Sequence, residues 1–473
     1  MTTSKINSTD GTDRIDDVLA LADAGFQASL ARLEEILSIP SISTDPAYDG
    51  EMLQAADWFT RLFTELGFEA ETVKTTGHPI VVATSPAPEG APTILYYGHY
   101  DVQPADPLEL WDSPPFEPTI IDTPEGGRIV ARGAVDDKGQ VMSFIEAFRA
   151  WRDATGGLPV GVKVMLEGEE ESGSPSLDQF LTDFKERIAS DVCVVSDTGM
   201  WNAKTPAITT MLRGMVYVEA TIKGPGHDLH SGMYGGAIAN PANVLARIIA
   251  AMHDDAGSVT IPGFYDGVID PPAEILERWN SLPFDEAGFL ASAEISAATA
   301  GETGRTILER TWSRPTLDVN GIFGGYTGSG AKTIIPSTCS AKISCRLVPG
   351  QDPDGIEAAL RSFIESHLPD GFSVAFESHG TNPAVIVPAD SPWLAAATRG
   401  LARAYDAPAA IIGSGGSIPA VGEIQDRLGI DALLVGFGLD EDRVHSPNEK
   451  FDLQCYQGGI RSHAAMLGAF ADA

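Results

Sequence analysis

Basic residues are scarce in this chain of 473 residues: 31 Lys and Arg stand against 66 Asp and Glu, a formal net charge of −35. A field of that sign repels nucleic acid and anionic lipid, so neither is expected as a partner. Cysteine is scarcer still. The four present, Cys193, Cys339, Cys345 and Cys455, make no CxxC pair and are too thinly spread for a disulfide scaffold, which suits a reducing cytoplasm. Long apolar runs are missing too, since no stretch of about 18 uncharged apolar residues offers a membrane span. The opening MTTSKINSTDGTDRIDD has no apolar centre of the kind a secretory signal carries. A cytoplasmic protein is the expectation.

What is present is ordinary for a globular chain, with 43% hydrophobic and 21% charged residues. At roughly 150 residues per domain, the length leaves room for two or three domains. Residues 14–37 carry Leu, Ala and Ile at helical spacing and predict one long helix ending at Ile39-Pro40. Apolar β-type runs then alternate with helical patterns: TILYYGHY (93–100), SFIEAFRAW (143–151), VKVMLEG (162–168) and DVCVVSD (191–197). The pattern resumes late with WLAAATRGLARAY (393–405) and ALLVGFG (432–438). Such alternation predicts βαβ units and an α/β fold with a doubly wound, mostly parallel sheet.

The middle of the chain reads differently, in the order β (215–224), α (241–253), β (316–325), β (341–348), α (355–367), β (372–378). That is the βαββαβ order of a ferredoxin-like unit, with residues 260–314 as a long insertion. The expected organisation is a catalytic domain in two parts, 14–210 and 386–473, interrupted by an inserted domain at 211–385.

Open α/β sheets bind ligands beyond the carboxyl ends of their strands, and there the sequence places its metal-type side chains. His99 and Asp101 close one strand, Glu169, Glu170 and Glu171 follow the next, Asp197 ends a third, and His445 follows the fourth by a short loop. Asp136-Asp137 sits in a Gly-flanked loop, RGAVDDKGQ, that opens a helix. A lone histidine at a strand end is most often structural, and an acidic triplet is most often a solvated turn. Their convergence carries the argument. Two imidazoles and at least three carboxylates without thiolate suit zinc, manganese or cobalt, and that many donors suggests two ions sharing a carboxylate. Spacing leaves Asp136 against Asp137, and Glu171 against Glu169, open.

Rival chemistries find little support. No GxSxG elbow occurs, and in GYTGSGAKT (325–333) Ala331 puts Lys332 out of register for a phosphate loop.

YGHYDVQP (97–104), RGAVDDKG (132–139), EGEEESGS (167–174), SDTG (196–199), DLHSG (228–232), RLVP (346–349), GGSIP (415–419) and HSPNEK (445–450) together resemble, in order, the motifs of the co-catalytic zinc metallopeptidases. That family includes carnosinase-type dipeptidases, aminoacylase, succinyl-diaminopimelate desuccinylase and glutamate carboxypeptidase, and the resemblance is to its dipeptidase branch. It implies that His99 and Asp197 hold one ion, Glu171 and His445 the other, and that Asp136 bridges both. It further implies Glu170 as general base and Asp101 as the residue that fixes the His99 imidazole. His230 would hydrogen-bond the oxyanion at a neighbouring subunit's site, so the inserted domain would be a lid and the seat of a homodimer. Arg346, with Ser417 of the GGSIP loop, would grip a substrate carboxylate. The plainer alternatives are a capping histidine for His230 and a strand-edge ion pair for Arg346, while His227 has no counterpart in the family pattern and is read as a surface residue. Glu169 departs from the pattern, and two outcomes are expected for it: raising the base's pKa or facing solvent.

The implied activity is hydrolysis of dipeptides or short peptides with a free carboxyl end by two metal ions, zinc foremost. An amidohydrolase or deacylase acting on N-acyl or N-carbamoyl amino acids is the alternative on the same fold. A noncatalytic metal-binding regulator is disfavoured, because it would have no need of a base that avoids the metal.

Overall fold

Two separate hydrophobic cores organise the chain in the computed structural model, which describes residues 11–124 and 126–473. The first unit runs to Thr210 and is completed by Val387–Ile412 and Glu423–Ala473. Its sheet places neighbouring strands in the order Glu69–Val73, Ile80–Ser85, Gly161–Glu167, Thr93–His99, Val192–Val195, Asp431–Leu434. The last four run parallel to one another, and the first two are antiparallel flanking strands. Central strands of a parallel sheet are covered on both faces, which is why TILYYGH and VCVV read as unbroken apolar runs. The fold is thus mixed α/β with a large sheet, mostly parallel through its centre.

The helix Lys138–Thr155 packs into this core with nearly every residue buried over its first four turns. Trp151 donates from Nε1 to the Ala464 carbonyl at 2.8 Å, joining it to the helix Leu453–Phe470. The helix stops at Gly156, whose φ of 78° is the left-handed conformation that glycine supplies at helix ends.

Two expectations change. The single helix over 14–37 is two helices, Gly11–Ala24 and Phe26–Leu37, interrupted at Gly25, a residue with poor helix propensity. The strand read over 432–438 ends at Leu434. Beyond it the chain runs against residues 195–200: Val435 N–H donates to Val195 O, and a Cβ on Gly436 would lie 1.9 Å from Thr198 O. Glycine is required there because two backbones touch. A further small sheet pairs Lys450–Asp452 with Arg128–Val130, and the latter with Thr119–Ile121. It draws the end of the His445 loop alongside the segment leading into Asp136.

The second unit comprises Met211–Ile386 and Gly413–Gly422. Its four-stranded antiparallel sheet has the spatial order Thr316–Gly324, Thr338–Leu347, Gly214–Lys223, Ser373–Asn382. Burial alternates along Gly214–Lys223, so Val216, Val218, Ala220 and Ile222 face one core with Leu245, Ile248, Ile343 and Leu360. The helices Pro241–Ala250 and Pro353–Ser366 cover that face. Each begins with an Asx cap followed by proline at its first position, Asn240-Pro241 and Asp352-Pro353. Among the described residues no helix is long and apolar enough to cross a membrane.

Candidate metal centre

The carboxyl ends of the strands deliver the acidic and imidazole side chains to one place. His99 is fully buried at the end of Thr93–His99. Its Nε2 lies 3.1 Å from Asp136 Oδ1, and its Nδ1 lies 3.1 Å from the Asp101 carbonyl and 3.4 Å from the Asp101 carboxylate. The imidazole is therefore oriented chiefly by the Asp101 backbone. The Asp101 carboxylate turns its Oδ2 to the Glu171 N–H at 3.0 Å.

Asp136 and Asp137 part company at a cis peptide bond. Asp137 accepts the His99 N–H on Oδ2 at 3.1 Å. Asp136 presents Oδ1 to His99 and Oδ2 to His445 Nε2, the latter at 2.9 Å. One carboxylate thus addresses two clusters, His99 with Asp136 and Asp197, and Asp136 with Glu171 and His445.

The three consecutive glutamates also separate. Glu170–Ser172 forms a 3₁₀ turn, in which successive side chains point roughly 120° apart. Glu171 approaches His445 at 3.2 Å and accepts from Gln103 Nε2 at 2.8 Å. Glu170 is partly buried, and among the described residues its carboxylate has no hydrogen-bond partner. Glu169 neither faces solvent nor stands among the main influences on Glu170. It is buried and accepts the backbone N–H groups of His78 at 3.0 Å and Ser176 at 3.2 Å, so it ties two loops together.

Like charge is crowded here. Burial, with Glu171, Asp101 and Asp136 nearby, outweighs the His99 imidazole and pushes Glu170 up to about 7. Burial and the Asp136 carboxylate push Asp197 well above the usual carboxylate range. Burial would lower His99, but its bonds to Asp101 and Asp136 hold it well above an ordinary histidine. The same carboxylates hold His445 up at about 10, through Asp136 first and then Glu171. Among the described residues, buried Asp137 Oδ1 has no hydrogen-bond donor, and buried Asp101 Oδ1 has no closer one than His99 Nδ1 at 3.4 Å. A divalent cation is the species such a donor set fits, since it relieves the repulsion that burial enforces.

Glu449, inside the HSPNEK motif, went unassigned in the sequence. It is fully buried. Its Oε2 accepts from Arg132 Nη1 at 2.6 Å and Gly133 N–H at 3.1 Å, and its Oε1 accepts from Val135 N–H at 3.0 Å and Asp136 N–H at 3.1 Å. It fixes the backbone that carries Asp136. An acid immediately before the strand Lys450–Asp452, paired to Arg128–Val130, was the available signal. His445 itself sits at φ 60°, between Arg443 at 59° and Asn448 at 63°, a conformation that non-glycine residues adopt at a cost of roughly 1–3 kcal/mol each.

The remaining candidates lie in the second unit. Arg346 Nη1 donates to Ser417 Oγ at 3.1 Å, and among the described residues Arg346 forms no ion pair at the strand edge. His230 is exposed and caps the short helix Ser231–Tyr234, its Nδ1 accepting from Gly232 N–H at 3.1 Å.

Residues 95–469 match peptidase family M20/M25/M40. The Cys-Gly metallodipeptidase dug1 of Schizosaccharomyces pombe is 30% identical over 462 residues, covering 94% of this chain and 96% of that protein. The Beta-Ala-His dipeptidase of Homo sapiens is 31% identical over 399 residues, covering 82% of this chain and 77% of the relative. Among solved structures, the M20 family metallo-carboxypeptidase Sso-CP2 of Sulfolobus solfataricus superposes with a TM-score of 0.82 at 32% identity, over 94% of this chain and 99% of that one. With the family matched over most of its length, the chain belongs to peptidase family M20/M25/M40 and is an enzyme of the metallopeptidase kind.

Proposed function

We propose that the enzyme hydrolyses the amide bond of dipeptides or short peptides bearing a free C-terminal carboxylate, with two divalent cations per chain, zinc foremost and manganese or cobalt as substitutes. The observation that carries this reading is Asp136, whose two oxygens address separate clusters at 3.1 and 2.9 Å. His99 and Asp197 would hold one cation, Glu171 and His445 the other, and Asp136 both. The chemistry such ions supply is Lewis acidity toward a carbonyl and toward water.

This chain's residues supply the rest. Glu170 takes the proton from the attacking water and delivers it to the leaving amine. A carboxylate with no fixed partner and a pKa held up at about 7 is suited to both steps. Asp101 fixes the His99 ring and the Glu171 backbone together. The second unit acts as a ferredoxin-like lid through which two chains pair, and His230 serves the oxyanion of substrate bound to the partner chain. Its Nδ1 already accepts a backbone N–H, which leaves the ring proton on Nε2 as the donor. Arg346, with Ser417 beside it, takes the substrate's C-terminal carboxylate. The dipeptidases among the relatives support the substrate class.

The test is a panel of unblocked dipeptides set against N-acetyl and N-carbamoyl amino acids, with zinc, manganese and cobalt each restored to chelator-stripped enzyme. Dipeptides should be turned over fastest, with two ions bound per active chain. Faster turnover of the blocked amino acids would make the enzyme an amidohydrolase, and full activity with a single ion would end the two-metal reading.

A further inference from the structure

Arg213 belongs to no motif discussed above, yet it lies beside Arg346. It precedes the strand Gly214–Lys223 and reaches the GGSIP loop, with Nε donating to the Gly415 carbonyl at 3.0 Å. Its Nη1 donates to Thr316 Oγ1 at 3.4 Å, and Thr316 is the cross-strand partner of Arg346 in the antiparallel ladder. Arg346 in turn donates to Ser417. Two guanidinium groups therefore bracket one short loop, held at Gly415 and Ser417. The loop lies flat on the first of them: a Cβ on Gly415 would come within 3.0 Å of Arg213 Nη2 and of the Thr311 carbonyl.

Neither arginine is neutralised. Ion pairs elsewhere in this unit engage other arginines, among them Arg314 with Glu302 and Asp270, Arg305 with Asp270 and Glu309, and Arg361 with Glu357. Among the described residues Arg213 and Arg346 form none. Burial first, and the Arg346 charge second, lower the Arg213 pKa to about 10, with only Asp318 opposing. In a chain of net charge −35, two adjacent partly buried cations left without a counter-ion create a standing demand for an anion.

We propose that Arg213 and Arg346 form a two-guanidinium carboxylate site floored by Gly415–Ser417, with Arg213 as a specificity-determining second cation. The assignment of the carboxylate to the substrate rests on the dipeptidase reading. A single guanidinium recognises a carboxylate by one fork; a second cation raises the field there, so that a C-terminal amide is rejected by charge as well as by geometry.

The experiment compares metal-loaded wild type, Arg213→Met, Arg213→Lys and Gly415→Ala on one dipeptide and on its C-terminal amide. Arg213→Met should raise KM for the free dipeptide about tenfold or more, the scale of one charge-assisted hydrogen bond, while the amide changes by less than about threefold. Arg213→Lys should recover most of the loss, because it keeps the charge. Gly415→Ala, which crowds the Arg213 fork without removing it, should reproduce the selective loss in a chain that keeps both arginines, and so stands in should Arg213→Met fail to fold. Equal losses on dipeptide and amide would reduce Arg213 to a brace for the loop and overturn the proposal, as would no loss at all. Arg346→Met separates the two readings: if it too leaves the ratio of dipeptide to amide unchanged, the carboxylate assignment of the whole site fails, and not the part given to Arg213 alone.

Discussion

Replacing Glu449 by glutamine exchanges one oxygen for an NH2 group on a fully buried side chain, and the structure leaves the amide no good orientation. With the nitrogen in place of Oε2 it confronts Arg132 Nη1 and Gly133 N–H; in place of Oε1 it confronts Val135 N–H and Asp136 N–H. Either way two donors face a donor, and the buried Arg132 guanidinium, 1% exposed, loses its counter-charge. Leaving one member of a buried ion pair unmatched costs about 3–5 kcal/mol. Each unsatisfied backbone N–H adds about 1–3 kcal/mol before relaxation. A net loss of about 4 kcal/mol is expected, close to a thousandfold in the unfolding constant. Urea unfolding of chelator-treated protein reads this directly. Metal titration of the folded variant should show affinity down about 10- to 100-fold, as for other groups that orient a ligand. The double variant Arg132→Met, Glu449→Gln should recover about 2 kcal/mol relative to the sum of the single changes, because the unmatched cation is gone. A single-variant loss under about 1 kcal/mol with unchanged metal affinity would refute the assignment of Glu449 as the clamp of the Asp136 loop.

Glu170→Gln should keep both metals and lose about 10²-fold or more in turnover, the range for removal of a general base; elemental analysis showing a lost ion would instead make Glu170 a ligand. Mixed dimers of His230→Ala and Glu170→Gln chains should regain part of the activity, because one of the two sites then has both groups intact; no recovery after proven subunit exchange would confine His230 to its own chain or to capping. His463 is buried among Tyr96, Phe144 and Phe437, and burial drops its pKa to about 3. The unfolded chain takes up this proton below the ordinary histidine pKa and the folded one does not, so the stabilising difference present above that pKa is lost as pH falls toward about 3. By pH 5 the loss attributable to this one ring is about 2 kcal/mol. His463→Phe in metal-stripped protein should flatten the pH dependence of unfolding between 8 and 5 by that amount, and parallel curves would show that the ring is charged or solvated in the fold.

The sheet centre was legible because its strands are covered on both faces and so carry unbroken apolar runs. The metal-type residues were legible because they follow those runs. Asp136 could not be told from Asp137, nor Glu171 from Glu169, by spacing. The answer depends on the backbone turning between neighbours, at a cis peptide in one case and in a 3₁₀ turn in the other. Glu449 and Arg213 were missed for a different reason. Their partners lie hundreds of residues away or on a neighbouring strand, and no periodicity reports a contact of that range. The break at Gly25 and the early end of the strand at Leu434 were missed because apolar spacing continues through both, while backbone geometry does not.

The interruption of the first unit at Thr210 carries a consequence for synthesis. Val192–Val195 pairs on one side with Thr93–His99 and on the other with Asp431–Leu434, and the second partner emerges from the ribosome more than 200 residues later. Until then the growing chain holds a buried-type strand, VCVV, with an unpaired edge, the feature that invites pairing between chains. N-terminal parts folding first at about 5–20 residues per second would leave that edge open for roughly 10–50 seconds. Translation that stalls inside the inserted unit therefore yields sticky, inactive fragments, because the strand that seals the sheet comes from the same stretch of chain that brings His445 and Glu449.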